Sequence, residues 1–186
     1  MNIVTVQVQE LIQKQRILEA IEWEIYNNSA EAKSVIDNAL VIYKEKRLPT
    51  IFYSFPTYSK DFWSQSTEPM QYIAQLPPEV QAQIVVYYTT TIKKQNEMLN
   101  SLNEFGKAEL SKNNCFFLEN ETDQNTINSC KLMYYQLVNI NSESADDIFE
   151  ASWNVLDVFH PTQDRLNNWF LKLMMGDKSV RVLSGK

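Results

Sequence analysis

The sequence predicts an all-α protein, and three observations carry that prediction. Apolar residues recur at spacings of three and four along most of the 186 residues. Only three glycines are present, so the left-handed turns that an all-β fold needs in number have few places to form. The stretch from Pro78 to about Lys112 opens Leu76-Pro77-Pro78-Glu79, where proline at the first helical position gives up no hydrogen bond and an early acid suits the positive helix end. The expected architecture is an antiparallel helical bundle of six or seven helices around this long central one, folded as a single domain over residues 1–186.

Taken in order, Val8, Leu11, Leu18 and Ile25 form a helical stripe that continues to Tyr26, although Val4, Val6 and Val8 also alternate as in a strand. Asn28 followed by Glu31 matches a reciprocal cap, which predicts a second helix with Ala32, Val35, Ile36, Ala39, Leu40 and Tyr43 inward. That helix stops before Pro49. The pair reads as a hairpin or as one long kinked helix.

Residues 50–75 are the least regular and the richest in aromatics, and a connection of this length predicts short helices near 58–65 and 68–76. Phe52, Tyr53, Phe55, Tyr58, Phe62 and Trp63 read as a lid packed over the bundle's end, or as a candidate interaction surface or ligand pocket, because Tyr, Trp and Phe are favoured at binding hot spots.

On the central helix, Val80, Ile84, Tyr87, Tyr88, Ile92, Leu99, Leu102, Phe105 and Leu110 make one apolar face. Its length of roughly 50 Å predicts a bend or break, with Gly106 the expected weak point. A loop around Cys115-Phe116-Phe117 follows, then a helix over 123–139. Ser144 and Asp147 predict the cap of a further helix that His160-Pro161 ends, and a last helix over 162–175 stops at Gly176. The tail 178–186 is expected to be mobile or to pair with the N-terminal valines.

Hydrophobic content of 44% with four tryptophans excludes intrinsic disorder. A net charge of −6 opposes sequence-independent nucleic-acid binding, which relies on clustered Lys and Arg. No apolar run approaches the roughly 20 residues of a transmembrane helix. Residues 1–15 lack the basic leader and apolar core of a signal peptide.

Cys115 and Cys130 are too far apart for a C-x-x-C redox motif and have no nearby histidine for zinc. They form a disulfide or remain two buried thiols. The disulfide implies an extracytoplasmic, oxidising compartment, and free thiols imply the cytoplasm.

His160 is the only histidine, which excludes most His-based metal and hydrolase sites. The acidic run Glu119 to Asp123 lacks the glycine and terminal glutamate of an EF-hand, and helix capping accounts for it. There is no glycine-rich phosphate loop and no G-x-S-x-G elbow. No catalytic residue, metal ligand or cofactor is predicted. The expected function is a non-enzymatic interaction or scaffolding module with a protein partner or a homo-oligomeric state. The alternative is a small-ligand sensor with its pocket beside residues 52–63.

The segment Leu18 to Asn28, with Glu24 and Asn27 in an E-x-x-N pattern, followed by the aromatic proline-containing stretch and Leu76-Pro77-Pro78-Glu79, resembles the soluble helical part of uncharacterised bacterial single-pass membrane proteins. The resemblance covers about the first 100 residues. It implies a membrane-tethered helical module and no catalytic residues.

Overall fold

The computed structural model describes residues 3–45, 54–65, 68–113, 115 and 123–175. Helix α1 spans Ile3–Glu45, α2 Asp61–Gln65, α3 Glu68–Ile73 and α4 Pro78–Val86; a π-helical turn over Tyr87–Ile92 joins α4 to α5, Lys93–Lys112, and α6 spans Gln124–Met175. The described residues contain helices and no strand, so the all-α class holds.

The expected count of six or seven separate helices is corrected. Three long rods carry the fold, α1, the continuous α4–π–α5 rod and α6, with α2 and α3 as short pieces between the first two. The merging has a physical cause. Asn28 and Ser144, the residues predicted to cap new helices, turn their side chains inward and bond to other elements: Asn28 to Ser59, and Ser144 to Gln95. A polar side chain engaged across the bundle is not available to compete with its own helix backbone. Pro161 likewise lies inside α6 and does not end it. It removes one backbone donor, and Thr162 Oγ1 donates to Val158 O at 3.1 Å in the same turn.

Cross-links define the register. Glu22 meets His160, Tyr43 donates to Tyr135 O and faces Asn139, and Gln95 is held by Ser144 and Asp147. As numbers rise along α1 and α5, they fall along α6, so α6 is antiparallel to both. The first rod is therefore parallel to the α4–π–α5 rod, which obliges the chain between them to travel back along the bundle. Residues 54–60 make this return as an extended strap, and α2 and α3 complete it, bringing Gln75 to Lys14 at 2.9 Å. The bundle thus has four columns, one of which is a strap followed by two short helices.

Ile21, Ile25, Ile84, Ile92, Leu99, Ile148, Leu156 and Phe159 are fully buried between the rods. Each contributes about 1.5–3 kcal/mol relative to an exposed position. Gly106 is buried within α5, and the rod continues through it without a break. At the start of α6, exposed Asp123 accepts from the backbone N–H groups of Asn125 and Thr126 and from the Thr126 hydroxyl. These bonds, the hydroxyl's first, hold its carboxyl below the usual carboxylate range.

The sulfurs of Cys115 and Cys130 stand 2.06 Å apart, at bonding distance, and tie the exit of α5 to α6. Phe116, Phe117, Glu119 to Thr122, Gly176 and the tail 178–186 lie outside the described residues. Closing a loop of 15 residues is worth about 3 kcal/mol in the chain-entropy model. Calorimetry with and without reductant is expected to show a melting temperature lower by roughly 6–12 °C for the reduced chain; an unchanged melting temperature would show that the cross-link does not restrain the unfolded chain.

Candidate functional site

The polar interior is built around the π turn. Thr89, Thr90 and Thr91 are β-branched residues with weak helix preference, and Thr89 Oγ1 donates back to Val85 O at 2.7 Å. The wider turn admits an extra residue and buries both Tyr87 and Tyr88, which meet edge to face at 5.1 Å. The two rings point to different partners. Tyr88 stacks on Trp63 with centroids 4.8 Å apart. The Tyr87 hydroxyl takes a hydrogen bond from Asn28 Nδ2 at 3.2 Å and shares a second with Ser152 Oγ at 3.0 Å. One phenol therefore joins all three rods.

Asn28 also begins a second pattern. Its amide donates to Ser59 O and accepts from Ser59 N–H, both at 2.8 Å. Asn96 makes the same pair of bonds to Tyr58, both at 2.8 Å, and Asn103 makes them to Phe55 at 2.7 and 2.9 Å. Three asparagines thus clamp the strap by its backbone. An asparagine side chain is itself an amide, so it supplies the donor and acceptor that a neighbouring strand would otherwise supply. Ser59 Oγ adds a bond to the buried carboxylate of Glu24 at 2.7 Å.

The predicted aromatic site divides. Tyr58 is 3% exposed and part of the core, and Phe55 and Trp63 are half-buried against it. Phe52 and Tyr53 lie outside the described residues, and Phe62 is placed only as a backbone position on α2. The strap aromatics run along the bundle between α1 and α5 and do not close its end. A cavity of about 310 Å³ opens elsewhere, between the π-turn region and α6, lined by Ala82, Val86, Tyr87, Thr91, Ala151 and Val155. His160 sits on the surface with Nε2 2.5 Å from Glu22 Oε1.

The sequence reading missed the outer face of α1. Trp23 and Tyr26 are 64% and 48% exposed and stack with centroids 6.0 Å apart. Ile12 and Val41 are exposed on the same side of that helix, opposite Leu18, Ile21, Ile25 and Ala32. The signal was present in the sequence as an apolar spacing of Ile12, Trp23, Tyr26 and Val41 out of phase with the buried stripe.

Comparison with protein-family models, with curated proteins and with solved structures finds no match to this chain.

Two outcomes test the hub that the Tyr87 hydroxyl forms with Asn28 and Ser152. Tyr87→Phe removes the hydroxyl that bonds Asn28 and Ser152 and is expected to lower stability by about 1–3 kcal/mol in urea unfolding; a neutral result would remove the phenol from its bridging role. Burial raises the Tyr87 phenol to about 12, the hydrogen bonds from Ser152 and Asn28 only partly offsetting it. Burial also raises Tyr58 and Tyr88, with Glu31 beside Tyr58 and Glu24 beside Tyr88 adding to the shift. An unfolded tyrosine titrates near 10, so in alkali the native state retains protons that the unfolded chain releases. This stability is complete below about pH 10 and is lost as pH rises through 12. Tyrosinate absorbance and helical circular dichroism are expected to change together in that window; tyrosines titrating near 10 with the helices intact would contradict the burial.

Proposed function

We propose that this chain is a non-enzymatic helical interaction module whose outer α1 face pairs with the same face of a second copy. The observation that carries the reading is the exposed, stacked Trp23–Tyr26 pair, since large aromatics in water are uncommon on a surface that meets no partner and are enriched in interface anchors.

The choice of a second copy rests on the order of residues along this face. A twofold axis between Tyr26 and Asn27 would set Trp23 over the partner copy's small Ala30, since the two lie three residues to either side. The same axis sets Arg16 opposite Asp37, each ten residues away, and Ile12 opposite Val41, each fourteen away. All six side chains are exposed. An isologous contact needs such self-complementarity: large against small, apolar against apolar, and each charge against its opposite, twice.

Pairing of Cys115 with Cys130 favours an oxidising compartment and accords with an extracytoplasmic module, membrane-tethered in a longer protein as its resemblance to bacterial single-pass proteins implies. No described helix is long and apolar enough to cross a membrane.

Sedimentation equilibrium tests the pairing. Trp23→Ser is expected to weaken self-association by more than about tenfold. Arg16→Asp should weaken it as well, by placing two like-charge pairs across the axis, and adding Asp37→Arg should restore it. A chain that stays monomeric at millimolar concentration, or a double charge swap that fails to restore association, would sink the antiparallel pairing.

A further inference from the structure

The strap lies in its groove as a bound peptide would. Asn96 and Asn103 are seven residues apart on α5, a rise of about 10.5 Å. The residues they clamp, Tyr58 and Phe55, are three apart in extended chain, a span of about 10 Å. The helix therefore holds an extended backbone at two points three residues apart. Each asparagine meets both the N–H and the C=O of its residue, so these bonds place no demand on the side chains there. Selectivity comes from the sockets instead: Tyr58 enters the core, Phe55 packs against it, and Ser59 is small enough for Asn28 and Glu24 to reach it from the opposite wall. Ser54, Pro56, Thr57 and Lys60 are exposed, so the strap's outer edge is open to water.

We propose that the groove between α1 and α5 is a docking site for an extended segment of a protein partner with the pattern aromatic-x-x-aromatic-Ser, and that residues 54–60 are its resident, competing occupant. The partner's backbone takes the Asn96, Asn103 and Asn28 clamps, and its two aromatic side chains fill the sockets of Phe55 and Tyr58. This site is separate from the outer face of α1 and does not depend on pairing there. Exchange requires only that the strap leave as the incoming segment enters, because both offer the same backbone groups.

The test uses the full chain, isotope-labelled, and an unlabelled synthetic peptide with the sequence of residues 54–60. Amide hydrogen exchange is read by NMR at Phe55, Tyr58 and Ser59, with Leu99 and Leu156 as internal references. Excess peptide is expected to lower protection of the three strap amides by about tenfold while the references stay unchanged. The same peptide with both aromatics replaced by alanine is expected to do nothing. Because the resident strap is tethered and competes at high effective concentration, Ser59→Asp provides a second arm. It sets another carboxylate against Glu24 in the strap but not in the peptide, and should raise peptide affinity at least about tenfold. Peptide capture by Ser59→Asp with an unchanged wild type supports the proposal. Strap protection unchanged in both proteins, or equal effects from the alanine peptide, overturns it; if Ser59→Asp does not fold, the wild-type arm decides alone.

Discussion

The fold depends on one constraint: an extended backbone packed between helices must find partners for its amides away from water. In a sheet the next strand provides them, and this chain has none among its described residues. Asn28, Asn96 and Asn103 answer that need one strap residue at a time. Without them, up to six strap N–H and C=O groups would be exposed to an apolar surface, each at a cost of about 1–3 kcal/mol. With them, the return path fits in the space of a helix, and α1 can run parallel to the α4–π–α5 rod. The parallel rods, the antiparallel α6 and the position of α2 all follow from that path.

The π turn serves the same arrangement. A regular helix sends consecutive side chains about 100° apart, so two adjacent tyrosines facing one core need extra room. The added residue at Tyr87–Ile92 gives it, with Tyr87 reaching Asn28 and Ser152 and Tyr88 lying flat on Trp63. Asn28 is thus the shared point of the two systems, holding the strap with both ends of its amide and the tyrosine with its remaining proton.

Much of this was legible in the sequence, and the failures have a common cause. The period of the apolar residues specified the helices, and the rod from Pro78 to Lys112 appears with the expected bounds. Helix boundaries at Asn28 and Ser144 were misread because a polar residue suited to capping is equally suited to bridging a core, and only tertiary structure distinguishes the two. The break expected at Gly106 is absent because that glycine lies buried in a regular turn, and the irregularity falls instead at the threonine run. The strap aromatics were visible as a cluster, whereas the asparagines that hold their backbone were not, since asparagine signals a turn or cap far more often than a clamp.

The bonds that close this bundle join residues far apart in the chain. Strap to clamp spans 31, 38 and 48 positions, and Tyr87 reaches 59 residues back to Asn28 and 65 forward to Ser152. Helical bundles with short connections fold quickly because their contacts are local, and this chain forgoes that advantage wherever the polar interior is assembled. Individual helical turns can form within microseconds, but the hub exists only after three rods and the strap have met. The protein is helical in content, yet the polar bonds that close it join residues as distant in sequence as those paired across a β-sheet.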